Sequence, residues 1–180
     1  MIDTPTLASP FAADAVTEAA LAEARRRDRF WVGYSGETIP GAEVADYLDA
    51  LRGLLEQHGW TRTYQQDDPE IPEIDESMSL KAMIVSAWRY VREALGPDRG
   101  PLTLITAQLR VDSGGAAAVG DRVLNALVAG LTGTSSAIAT AWVVRRGRTW
   151  GEVRDLLAAG ADFARAHGPA ALSETYGQES

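Results

Sequence analysis

The side chains able to do chemistry are few and lie far apart in the sequence. His58 and His167 each stand in the last turn of an apolar-periodic segment, directly before a glycine. Imidazole can act as a general base or a metal ligand, but at a helix C-terminus it also complements the negative end of the helix dipole. Neither histidine belongs to an HExxH-type pair, so both are read as helix-end residues. Asp67, Asp68, Glu70, Glu73, Asp75 and Glu76 form an acidic run broken by Pro69 and Pro72. Carboxylates in that number can hold a divalent cation, yet the turn glycine and alternating Asp/Asn pattern of a calcium loop are missing. The run is read as a solvated loop that could also meet a basic partner.

Two arginine clusters adjoin aromatic rings. Arg25, Arg26, Arg27 and Arg29 precede Phe30-Trp31, while Arg145, Arg146 and Arg148 lie between Trp142 and Trp150. Guanidinium groups grip phosphate or carboxylate, and a neighbouring ring gives a flat partner something to stack on. Trp60 follows the Gly59 stop of a helix, and Trp31 sits in a glycine-rich loop. Trp31, Trp60, Arg145, Arg146 and Arg148 are therefore the candidate binding residues. No catalytic residue is assigned. No phosphate loop, dinucleotide fingerprint or nucleophile elbow occurs, so no cofactor is expected. The chain has no cysteine, which excludes disulfides, thiolate metal sites and cysteine nucleophiles, and no metal is expected.

Charge narrows the partner classes. Twenty-five acidic residues against 17 basic ones give a net charge of -8, a poor basis for neutralising phosphates. Residues 135–163 can be drawn as a helix-turn-helix, but Glu152 and Asp155 would then face the phosphates and base acceptors. Nucleic acid is not expected as a partner. All but one of the basic residues are arginine, Lys81 being the exception, and with abundant alanine this points to a GC-rich bacterial coding sequence. The opening MIDTPTLASPF has neither a basic leader nor an apolar run, and no apolar stretch approaches a membrane span. A cytoplasmic protein without a membrane is expected.

The elements that must position these residues are helical. Ser9-Pro10 reads as an N-cap with proline in the first turn, opening a helix through Phe11, Val16, Ala20, Leu21 and Ala24 to Arg27. Residues 30–41 are a loop with room for a short strand. Val44, Tyr47, Leu48, Leu51, Leu54 and Leu55 recur at spacings of three and four, predicting a second helix that Gly59 stops. Leu80, Met83, Ile84, Ala87, Trp88, Val91 and Leu95 predict a third after a serine cap. Residues 102–111 read as helix or strand, with helix favoured. A fourth helix covers 117–131, with Val123, Leu124, Leu127, Val128 and Leu131 inward, and a short one covers 135–144 with Ile138, Ala141 and Trp142. Thr149 and Glu152 have capping-box spacing, opening a last helix with Trp150, Val153, Leu156, Leu157, Ala161 and Ala164 buried and Gly168-Pro169 after it.

The expected architecture is all-α: a compact single-domain bundle of five to six helices spanning residues 9–168. Flexible tails are expected at 1–8 and 169–180, with a short strand or hairpin accommodated near residues 30–38 or 102–111. Among the tryptophans, Trp88, Trp142 and Trp150 are expected in the core.

Three segments also carry a resemblance. They are the helix from Tyr47 to Gln57 ending in His58-Gly59-Trp60-Thr61, the apolar helix from Ser79 to Leu95, and Ala139-Trp142 followed by Gly147-Arg148-Thr149 and Glu152-Val153 with Leu156-Leu157. Together they resemble the domain-of-unknown-function family 6197, small helical proteins of GC-rich bacteria, over the part of the chain after residue 43. The chain departs from the pattern at Val143-Val144, where the family has Asn-Asp, and in the third helix, which lacks a Cys and a Leu-Gly-Ala motif. The resemblance implies a helical fold and no particular activity.

The functional expectation is a non-catalytic binding or accessory protein that holds an unidentified protein or small molecule in a helical groove or on the arginine and aromatic loops. One alternative is a small metal-independent enzyme, such as a cyclase, isomerase or hydrolase, working through carboxylates in an aromatic-lined pocket. Another is a self-associating structural protein, its alanine-rich helices packing into homo-oligomers.

Overall fold

The computed structural model describes residues 9–63, 100–111 and 114–171. The 1–8 tail, the acidic run, the helix of Leu80 to Leu95 with Trp88, and the chain after 171 lie outside the described residues. Among the described residues the fold is all-α, with six α-helices, a single 3-10 turn and two isolated bridges. The helices are α1 (Asp14–Arg26), α2 (Gly41–His58), α3 (Leu104–Arg110), α4 (Gly115–Thr132), α5 (Ala139–Val143) and α6 (Trp150–His167). Helix α2 packs along α6 and α1 along α4, while α4 also touches α2 and α6. None of these helices is long and apolar enough to cross a membrane.

The apolar periodicity decides which faces turn inward. Val44, Tyr47, Leu48, Leu51 and Leu55 of α2, Val123, Leu124, Leu127 and Val128 of α4, and Val153, Leu156, Leu157, Ala161 and Ala164 of α6 are all buried in one cluster. Leu54, Leu131 and Trp150 only lean on that cluster, so Trp150 is a half-buried flank rather than a core residue. Trp142 is 2% exposed and belongs to the core.

The N-terminal segment departs from one continuous helix. Pro10–Ala12 is a 3-10 turn whose Phe11 amide donates to Ser9 Oγ, Ala13 is extended, and α1 begins only at Asp14. The break lets Phe11 reach the core, where its ring meets Trp142 edge-on at 5.5 Å. A straight helix could not have turned that side chain inward. The segment 135–144 is also shorter than its composition suggests. Only Ala139–Val143 is helical, started by Asn125 Oδ1 accepting from the Ala139 amide at 2.6 Å. Ile138 is left outside at 55% exposure, and Ala141 is exposed as well.

Both ambiguous segments resolve into a bridge beside other structure. Val32 pairs antiparallel with Thr38, and Trp60 pairs parallel with Leu102 immediately before α3. Arg122 of α4 ties the first of these loops down, donating through Nη1 to the carbonyls of Arg29, Phe30 and Val32 at 2.7 to 3.0 Å. At the other end the Gly41 amide donates to Pro169 O at 2.8 Å, joining the start of α2 to the chain just after α6.

The capping box at α6 is present as read. Glu152 N donates to Thr149 Oγ1 at 3.3 Å, and Thr149 N donates to Glu152 Oε2 at 2.9 Å. Burial opposes the charge on Glu152, but these bonds and Arg148 outweigh it and hold the carboxyl below its usual range.

Candidate functional site

The sequence-predicted site residues occupy three separate places. Trp31 is half-buried; its ring meets Phe30 edge-on at 5.2 Å and stacks on Phe163 of α6 at 6.4 Å, the planes 14° apart. Trp60 is half-buried beside Leu102, its indole Nε1 buried without a hydrogen-bond partner among the described residues. Arg148 lies over the Trp142 ring, 3.9 Å from its centroid, and donates to Glu152 Oε1 at 2.5 Å. Arg145 and Arg146 are exposed on the turn between α5 and α6, where Gly147 takes a positive φ of 88°. Among the described residues, no ring contact or ion pair joins Trp31 or Trp60 to these three arginines.

A groove of about 320 Å³ opens between the 3-10 turn, α1 and α6. Its floor is Phe11, Leu127 and Phe163, its walls are Ala12, Ala158, Ala159 and Ala166, and its rim carries Ser9, Thr17, Asp155, Asp162 and His167. The cause is local. Helix α6 presents alanines where longer side chains would have filled the trough, and Phe11 is pulled below the surface by its contact with Trp142. Trp31 stands behind the groove, stacked on Phe163 on one side, while the His167 ring lies 4.9 Å from Phe163. A half-open apolar hollow of this size suits a small ligand or one side chain-rich segment of a partner.

A second constellation joins α2, α3 and α4. Gln108 Nε2 donates to Asp121 Oδ1 at 2.5 Å, and the Gln108 side chain also bonds Tyr47. Gly120 leaves room for this arrangement: a Cβ there would meet Tyr47 Cε1 at 2.8 Å. Burial pushes the Asp121 carboxyl above its ordinary range despite the Gln108 bond and the nearby Arg122 charge. Burial and the neighbouring Asp121 push the Tyr47 phenol upward too. An orienting amide, a carboxyl with raised proton affinity and a phenol together could hold or move a proton. Tyr34, 79% exposed, is the residue nearest to solvent that acts on Tyr47.

None of Gln108, Asp121, Asp162 or Phe163 was marked by the sequence. The available signals were faint: polar Asp121 stands directly beside a buried apolar run of α4, and Asp155 and Asp162 recur seven apart on the alanine-rich α6. Neither spacing separates a site from a solvated helix face.

The sign of the Asp121 effect is testable. Its folded proton affinity is raised, so its contribution to stability is complete below the unfolded carboxyl range near pH 4 and is lost as pH rises through the folded value. Asp121→Asn, which can still accept from Gln108, is expected to raise the melting temperature at pH 7, and the gain should shrink toward pH 4. Paired thermal scans at the two pH values measure it. A lower melting temperature at pH 7 would make Asp121 a charged staple between helices.

These observations define a protein that is all-helical over its described residues, with an apolar groove and, elsewhere, a partly buried carboxyl and amide beside the buried Tyr47 phenol. The family model described as "Family of unknown function (DUF6197)" matches residues 40–163, and the chain belongs to that family. The match begins four residues before the stretch that carries the resemblance, which lies after residue 43. It contains all of Tyr47, Gln108 and Asp121 and the α4 and early α6 part of the groove, but not Phe11, Ala166 or His167. No curated protein and no solved structure matches the chain.

Proposed function

We propose that the protein is a non-catalytic binding protein that holds a small apolar ligand, or an apolar segment of a partner, in the groove between the 3-10 turn, α1 and α6. The observation that carries this reading is the hollow of about 320 Å³ whose floor is apolar and whose walls are alanine. Filled, it would remove from water apolar surface that the fold leaves uncovered. The test uses 1-naphthylmethanol titrated into ¹⁵N-labelled protein. Saturable shifts are expected at the amides of Ala158, Ala159 and Ala166. Ala166→Trp, placed at an exposed position, should weaken binding by at least about tenfold, or 1.4 kcal/mol. Shifts that are absent, or that survive this substitution, would remove the groove from consideration.

A second reading, a metal-independent enzyme of the cyclase, isomerase or hydrolase kind, is favoured by one observation: the Asp121 carboxyl, raised by burial and positioned by Gln108 beside Tyr47. Carboxyls whose proton affinity is displaced toward neutrality recur at catalytic sites. A stabilising Asp121→Asn exchange favours it, because residues kept at a cost in stability tend to serve function.

A bacterial, cytoplasmic setting belongs to the same proposal. The arginine-rich, lysine-poor composition supports the first half, and recovery of the protein from the soluble cytoplasmic fraction of its host tests the second.

A further inference from the structure

We infer that the groove selects an organic cation: an apolar body carrying an ammonium or guanidinium group. The inference rests on the groove reading above and adds the charge of the ligand. Asp155 and Asp162 both stand on the groove rim. They are seven residues apart on α6, so they share one face, about 10.5 Å apart along the axis. No lysine or arginine lines the groove among the described residues.

The nearby guanidinium groups do not cancel these carboxylates. Arg154 Nη2 approaches Asp155 Oδ1 at 3.2 Å from a half-exposed position, and Arg165 Nη1 stays 3.7 Å from Asp162 Oδ1. Arg165 directs its other terminal nitrogen to Asp49 of α2. The Asp162 side chain remains 82% exposed, and exposed pairs of this kind hold weakly. The whole chain adds a field of the same sign, with a net charge of -8, which draws cations and repels anions at low salt. A ligand that lays its apolar body along the alanine walls, over the already buried Phe11, Leu127 and Phe163, therefore meets negative charge at its polar end.

Three probes with one apolar body test this: 1-naphthylmethylamine, 1-naphthylmethanol and 1-naphthylacetate, each followed by the shifts of the groove amides at low salt. The amine is expected to bind about five- to tenfold more tightly than the alcohol, and the acetate more weakly than both, the range that one or two partly exposed ion pairs supply. That advantage should fall below about twofold in Asp155→Asn/Asp162→Asn and in high salt. Equal binding of amine and alcohol, or an advantage indifferent to both changes, overturns the cation preference while leaving the groove reading intact. Failure of all three probes overturns the groove reading itself. Two other occupants give their own signatures, and either would overturn the inference: tighter binding of every probe after removal of residues 1–8, or a protein concentration-dependent mass in light scattering that the probes reverse.

Discussion

Gly41→Ala is expected to lower the melting temperature by about 6–12 °C, against the direction that helix propensity dictates. Alanine inside a helix ordinarily gains up to about 1 kcal/mol over glycine, and Gly41 opens α2 without a positive φ. The contacts reverse that preference. A Cβ at Gly41 would stand 2.1 Å from Ala164 O and 2.7 Å from Gly168 Cα, and a Cβ at Gly168 would meet Gly41 Cα at 2.3 Å. These obstacles are backbone atoms, and no rotamer change moves them. The start of α2 would have to withdraw from the end of α6, breaking the 2.8 Å bond from Gly41 N to Pro169 O. Overpacking costs about 1–3 kcal/mol, and rigid backbone puts this site at the upper end. About 3 kcal/mol corresponds to the stated shift for a chain of this size. Thermal unfolding followed by circular dichroism measures it, and a change below about 2 °C would mean that the two helix ends do not touch in solution.

Leu48→Ala is expected to cost about 3–4 kcal/mol, a fall of roughly 6–16 °C. Leu48 is fully buried, and its methyl groups fill a slot cut by two glycines on facing helices. A Cβ at Gly160 of α6 would lie 3.0 Å from Leu48 Cδ1, and one at Gly120 of α4 would lie 3.5 Å from Leu48 Cδ2. Truncating the leucine leaves a cavity where three helices meet, and rigid helices collapse only partly around it. The same geometry predicts coupling. Gly160→Ala should destabilise the native protein, because its Cβ also meets Leu124 Cδ2 at 2.9 Å. In the Leu48→Ala background the 3.0 Å contact with Leu48 Cδ1 disappears while that with Leu124 remains, so the double variant should be more stable than the sum of the single losses by about 0.5 kcal/mol or more. Additive losses would place Leu48 and Gly160 out of contact.

The legible part of the fold was the part that repeats. Leu48, Leu51 and Leu55 of α2 and Leu156 and Leu157 of α6 lie where a period of 3.6 puts them, because burial of one helical stripe depends on spacing alone. The Thr149 capping box was legible for the same reason: its two bonds close within four residues. The turn at Ala13 and the short α5 were not. Each follows from a distant partner, Trp142 for Phe11 and Asn125 for Ala139, and no local pattern announces a contact made more than a hundred residues away, or across a loop.

The candidate site was less legible than the fold. The arginine and tryptophan residues near position 145 caught the eye by type, but Arg148 is engaged with Trp142 and Glu152, and Trp31 works from behind Phe163. The groove is made of alanines, whose defining property is what they fail to fill. An absence of volume has no residue signature until two surfaces face each other.

By itself, then, the sequence determined the all-α fold of the described residues, the inward faces of their long helices, the start of α6 and membership of the family. Each of these depends on interactions within a few residues or on a pattern recurring along one element. Tertiary structure alone decided that Gly41 touches Gly168, that Gln108 binds Asp121, and that the alanines of α6 face the 3-10 turn across an open trough. Those outcomes depend on how the helices cross, and the crossing is set by the summed packing of all of them.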